Sequence, residues 1–228
     1  MTETFSDSKR QQTSLLSGLE RRALTWLAAR VPARVNSDHL TLLGFLSLAL
    51  AGVCYSLSTF SPYWLHAVNV CILLNWLGDS LDGTLARYRN HLRPRYGFYV
   101  DHIVDTSGAL FLVLGMGLSP YMSLPVAAAV LIAFFMLSIN SYLATYVLGT
   151  FRISFGIFSP TEIRLLLGIG NLVLLVHPTV RLLGPELLLY DVGGSIAALA
   201  MLAVFAKATV VNTRRLYQLE PPAAHRSA

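Results

Sequence analysis

Two long stretches of this chain contain no Lys, Arg, Asp or Glu: Thr41 to Gly78, and Thr106 to Phe151. A run of about 18 or more apolar residues without charge reads as a transmembrane helix, and each of these is long enough for a helical pair. Only 13% of the 228 residues are charged and 54% are hydrophobic, against about 25% charged in ordinary soluble domains. The expected class is an integral membrane protein. The first 35 residues are polar and charged, without a short apolar core and cleavage site, so no secretory signal peptide is expected. Net charge is +5, but the basic residues flank apolar spans, so topology explains them and no nucleic-acid partner is expected. Cys54 and Cys71 fall inside apolar spans and read as small buried hydrophobes.

Residues 1–12 read as a disordered polar tail. Over residues 13–35, Leu15, Leu16, Leu19, Leu24, Trp26 and Leu27 alternate with Glu20, Arg21, Arg22 and Arg30, the pattern of an amphipathic juxtamembrane helix. Such a helix lies on the membrane surface with arginines toward lipid phosphates, or caps the bundle. Six spans follow: Leu40–Ser58, with Ser37 or Asp38 placed to cap it, Tyr63–Tyr88, Tyr96–Leu118, Leu124–Leu148, Thr161–Val176 and Leu187–Val211. The expected fold is therefore all-α, a polytopic bundle of six transmembrane helices over residues 36–212. An N-terminal interfacial helix precedes it and a cytoplasmic tail, 213–228, follows. With the N-terminus in the cytoplasm, every Lys and Arg except Arg181 falls on the cytoplasmic side, which supports six spans with both termini inside.

The informative segment is Leu74 to Asp105, LNWLGDSLDGTLARYRNHLRPRYGFYVDHIVD. At 3.6 residues per turn, Asp79, Asp82, Gly83, Ala86 and Arg87 share one helix face. Gly97, Asp101 and Asp105 recur every four residues on the next helix. A short arginine-rich turn makes the two helices antiparallel, so four aspartates are expected to converge near the cytoplasmic edge. Each carboxylate at that depth costs a few kcal/mol or more, and Arg87 balances one of them at most. Oxygen donors converging from two helices suit Mg²⁺ or Mn²⁺, and Mg²⁺ held this way keeps positions open for phosphate oxygens. Gly83 and Gly97 either admit a ligand to the backbone or pack helices closely. Arg87 is the natural partner of a phosphate oxygen.

Residues 79 to 105 read D-x2-D-G-x2-A-R-x9-G-x3-D-x3-D, which resembles the signature of the CDP-alcohol phosphotransferase (CDP-alcohol phosphatidyltransferase) family. Its fixed positions are filled by Asp79, Asp82, Gly83, Ala86, Arg87, Gly97, Asp101 and Asp105. Two departures stand out: nine residues separate Arg87 from Gly97 where eight is commonest, and S-D-H-L-T (Ser37 to Thr41) replaces the P-N-x-L-T often found there. The six-span layout with a surface helix before it is also similar.

The resemblance implies a phospholipid-biosynthetic transferase in the bacterial inner (plasma) membrane, with its active site cytoplasmic and its chain a homodimer. A CDP-linked donor and an alcohol acceptor, at least one of them a lipid, would be its partners. It further implies that the CDP moiety is gripped by Gly83, Ala86, Arg87 and Gly97, and that two Mg²⁺ or Mn²⁺ ions are held by Asp79, Asp82, Asp101 and Asp105. Asp105 would be the general base. His102 gives D-H-x2-D and resembles the arrangement in choline and ethanolamine phosphotransferases, where that histidine is a candidate base.

Other polar residues carry open readings. Asn75 orients Asp79 or a phosphate, or joins helices. Asn140, Ser141, Thr145 and Tyr146 line an acceptor pocket or join helices. Arg152, Glu162 and Arg164 stand where an acceptor's phosphate would dock, and where topology alone also puts arginines. Two rival classes share the carboxylates. An ion- or proton-coupled transporter explains them but not Gly83, Ala86 and Arg87. A Mg-dependent membrane prenyltransferase needs two distant aspartate-rich helices and about nine spans.

Overall fold

The helix that begins at Ser37 shows how the bundle is built. Its inward residues Leu40, Gly44, Ser47, Ala51, Cys54 and Tyr55 are buried, while Leu42, Leu46, Leu50 and Val53 are each more than half exposed. Both sets repeat at helical spacing, so one face meets protein and the other, equally apolar, meets lipid.

A computed structural model describes residues 17–148, 160–182 and 184–222. In chain order these form α1 (Ser17–Ala28), α2 (Ser37–Leu57), α3 (Trp64–Tyr88), α4 (Pro94–Gly117), α5 (Leu124–Leu148) and α6 (Pro160–Leu174). A small antiparallel hairpin follows, β1 (Thr179–Arg181) and β2 (Glu186–Leu188), and then α7 (Leu189–Leu219). The tail expected at 1–12 and the docking residue Arg152 lie outside the described residues.

Helices α2, α4, α5 and α7 are long and apolar enough to cross a membrane. The other two expected spans differ for separable reasons. Helix α3 has the length, at 25 residues, but His66, Asn69, Asn75 and Asp79 interrupt its apolar run, and Asp82 and Arg87 follow. Helix α6 has 15 residues, about 22 Å at 1.5 Å per residue, against a hydrocarbon core of about 30 Å. The hairpin, which alternation too short to notice concealed in the sequence, places Arg181 between α6 and α7.

The cap of α2 also differs from expectation. Asn36, not Ser37 or Asp38, is the N-cap: its side chain accepts from the His39 amide, and the His39 ring accepts from the Asn36 amide. Asp38 instead lies in the first turn, where its charge suits the helix dipole, and forms an ion pair with Arg93.

Helix α2 packs against both α3 and α4, and glycines set how closely. A Cβ on Gly78 would lie 2.6 Å from the Gly44 amide nitrogen. A Cβ on Gly115 would lie 2.1 Å from the Gly52 carbonyl oxygen, and one on Gly52 would lie 2.2 Å from that of Phe111. Small residues are the usual means by which membrane helices bring backbones together. Beyond these crossings, Cys54 and Cys71 join a core with Tyr55, Val68, Ile72, Met116 and Leu174; both are buried and neither is in a disulfide, as the sequence suggested.

Helix α1 is not simply laid on a lipid surface. Leu24 and Ala28 are buried against Leu40, Leu81 and Leu85, with Leu27 and Val31 packed beside them. Part of its apolar face is thus directed at the bundle, while Trp26 stays exposed under the Arg30 guanidinium, 3.7 Å from its ring. Arg89, at the end of α3, secures the α1–α2 link by donating to the carbonyls of Val31, Pro32 and Val35.

The glycine crossings are testable. Gly115→Ala should destabilise the protein by about 1–3 kcal/mol, because the new methyl meets backbone that cannot rotate away. Gly193→Ala, with no atom within 4 Å of the added Cβ, should not. Thermal unfolding in detergent compares the two; equal midpoints would refute the close-packing account.

Candidate active site

Because α3 and α4 both rest on α2, the last turns of α3 and the first turns of α4 bring acidic residues together from two helices. Ligand oxygens of Asp79, Asp101 and Asp105 all lie within 4.8 Å of one another. Asp79 and Asp101 are partly buried, and Asp105 is exposed. Four aspartates were expected to converge, and this group has three. Asp82 occupies the next turn of α3 and accepts a 2.6 Å hydrogen bond from the Thr41 hydroxyl on α2. Thr41, which also donates to Ser37 O, was not anticipated as a site residue; its place in the S-D-H-L-T segment was the available signal.

A cation also reaches the cluster from a third helix, by a contact that was unforeseen. Arg164, from α6, donates to Asp79 Oδ2 at 2.6 Å and to Asn75 Oδ1 at 2.8 Å. Asn75 is buried and donates in turn to Gly44 O at 3.0 Å. It therefore joins α2 to α3, one of the readings weighed for it, and accepts from the arginine that bonds Asp79. Arg164 itself was expected near the cytoplasmic end of α6, but nothing in its spacing revealed that it reaches α3.

Gly83 and Gly97 behave unlike the glycines of the helix crossings. Among the described residues, nothing lies within 4 Å of a Cβ built on Gly97, and on Gly83 such an atom meets just the Arg87 guanidinium at 3.8 Å. Arg87 is exposed and folds back along Gly83. Ala86 lines a surface hollow of about 340 Å³ with Asp38, Arg89, His91 and Arg93.

His102 packs between α4 and α5. Its Nδ1 is 2.6 Å from Phe98 O, its ring centroid is 4.1 Å from that of Phe98, and it meets Tyr142 edge-on at 4.7 Å. A hydrogen bond from Nδ1 to a carbonyl makes Nε2 the basic nitrogen. Tyr142 also shares a 3.3 Å hydrogen bond with Thr106, next to Asp105.

The polar residues of α5 divide. Asn140 donates to Thr209 of α7, and Ser141 and Thr145 bond to carbonyls one turn back in their own helix. Tyr146 is 89% exposed. These contacts serve helix association and backbone satisfaction. Glu162 sits in the first turn of α6.

Three converging carboxylates are hard oxygen donors from two rigid helices, a donor set suited to a divalent cation with positions left for phosphate. Asp79→Asn, Asp101→Asn or Asp105→Asn should each weaken Mn²⁺ binding about tenfold or more, since each removes a charged ligand. Asp38→Asn, an aspartate already paired with Arg93, should not. Titration followed by electron paramagnetic resonance would check this; equal affinities across the set would rule out the cluster as the site.

A profile of one family, CDP-alcohol phosphatidyltransferase, matches residues 35–206. The match begins one residue before the cap of α2, ends within α7, and leaves α1 outside. Members are membrane transferases of substituted phosphate groups in phospholipid synthesis and generally depend on divalent metal. Spanning about three quarters of the chain and enclosing every aspartate of the α3–α4 pair, that match places this protein in the CDP-alcohol phosphatidyltransferase family.

Proposed function

We propose that the protein transfers a substituted phosphate from a CDP-alcohol to an alcohol acceptor and releases CMP, with Asp79, Asp82, Asp101 and Asp105 at the reacting centre. The observation that carries this reading is the meeting of Asp79, Asp101 and Asp105 within 4.8 Å beside an open glycine face. The donor is CDP-diacylglycerol with a water-soluble acceptor, or a CDP-headgroup compound with a lipid acceptor.

In this reading α3 and α6 cross the bilayer together with the four apolar helices, as one catalytic unit over residues 36–212. Both termini and the site face the cytoplasm. For α3 the supporting feature is its charge-free run up to Gly78, and for α6 it is burial of Asn171 and Leu174 at its far end.

The acidic cluster fits one or two Mg²⁺ or Mn²⁺ ions, held by Asp79, Asp101 and Asp105 and joined by Asp82 from the neighbouring turn. When bound, such ions neutralise the diphosphate and stabilise charge on the departing phosphate. The rest falls to the chain. Gly83 and Gly97 admit the donor's cytidine diphosphate close to backbone, and Arg87 offers a guanidinium to a phosphate oxygen. Asp105 accepts the proton of the acceptor hydroxyl as its oxygen bonds to phosphorus. The bond from that phosphorus to the bridging oxygen breaks, and the electron pair leaves with CMP. His102, with Nε2 basic, is the second candidate base.

Purified protein supplied with Mn²⁺ and paired CDP-alcohols and alcohols should release CMP, and Asp105→Asn should lower kcat by at least about a hundredfold. His102→Gln should cost less than about tenfold if Asp105 is the base. No CMP from any pair, or full activity in Asp105→Asn, would refute the assignment.

A further inference from the structure

Glu20 lies on α1, outside the residues that the family profile covers. Its Oε1 accepts two hydrogen bonds from different helices: from Trp76 Nε1 on α3 at 3.0 Å, and from the Thr161 hydroxyl on α6 at 2.9 Å. Both donors sit beside the residues that meet at the acidic cluster. Trp76 follows Asn75 and precedes Asp79 by three residues. Thr161 precedes Arg164 by three residues, close to one helical turn. Arg164 closes the circuit by bonding Asn75 and Asp79.

From these contacts we propose that Glu20 is a positioning residue for the transfer reaction, holding the first turn of α6 against α3 so that Arg164 engages Asp79. The inference deepens the proposed function and rests on it. Its physical basis is the short length of α6 and the way its two ends are held. At the far end Asn171 is fully buried and accepts from Tyr55 and Tyr190, while donating to Asn69. Asn69 donates to Gly168 O. That end is fixed by a satisfied polar cluster, which is expensive to disturb. At the site end, Arg164 ties α6 to α3 and Thr161 ties it to α1. An ionised carboxylate accepting two neutral donors makes stronger hydrogen bonds than a neutral acceptor would. Helix α1 is thereby part of the scaffold of the site.

Arg164 and a divalent cation both draw on the Asp79 carboxylate. Loosening Arg164 should therefore strengthen cation binding while disordering the site for catalysis, a combination that simple loss of packing does not produce.

The test is a double-mutant cycle between Glu20 and Arg164, which do not touch each other. Glu20→Ala and Thr161→Ala should each lower kcat/KM for CMP release by about tenfold and raise Mn²⁺ affinity by about threefold. Arg164→Gln should do more of both, and Glu20→Ala combined with Arg164→Gln should be no worse than Arg164→Gln alone. Glu20→Gln, whose amide oxygen can accept the same two bonds, should recover most of the loss. Additive effects, an unchanged Mn²⁺ affinity in Glu20→Ala, or a Glu20→Gln as impaired as Glu20→Ala would overturn the proposal. If Glu20→Ala does not fold, Thr161→Ala removes the α6 arm alone and decides the matter through its own cycle with Arg164→Gln. Should the wild type release no CMP from any pair, the proposed reaction fails. The Mn²⁺ cycle still judges the positioning: a non-additive rise supports it, and none refutes it.

Discussion

Carboxylates gathered at the edge of an apolar bundle repel one another, and much of this end of the protein can be understood as an answer to that repulsion. At the separation found among Asp79, Asp101 and Asp105, a pair of unit charges costs on the order of 3 kcal/mol at an effective dielectric near 20. Arg164 relieves part of it through Asp79, and Thr41 takes up an oxygen of Asp82. Neither contact neutralises three acids. In the proposed function, a cation of higher charge and a phosphate-bearing substrate complete the cluster.

Meeting at that point depends on backbone contacts far from the chemistry. Gly44 and Gly78 let α3 approach α2, and Gly52 and Gly115 do the same for α4. The same residue type serves the opposite purpose at Gly83 and Gly97, where the space is left open. Glycine's missing side chain thus accounts for the close crossings of the frame and, in the proposed function, for access to the site.

Much of this was legible in the sequence, because charge-free runs and helical spacing are local signals. The helices α2 to α5 fall close to the expected spans, and the D-x2-D and D-x3-D spacings identify the faces that meet. What remained hidden was tertiary. The reach of Arg164 from α6 to α3 cannot be seen in the spacing of either helix, nor can the capture of Asp82 by Thr41. The cap at Asn36 was missed since Ser37 and Asp38 are equally good capping types, and only backbone geometry distinguishes them. The partial burial of α1 against Leu40, Leu81 and Leu85 was one of two readings of the same amphipathic pattern, and the pattern could not choose between protein and lipid as the apolar surface.

The most direct test of the account is an anomalous-scattering map from crystals grown with Mn²⁺. The account predicts a Mn²⁺ peak between Asp79, Asp101 and Asp105. Manganese bound elsewhere, with the three carboxylates unoccupied, would contradict it.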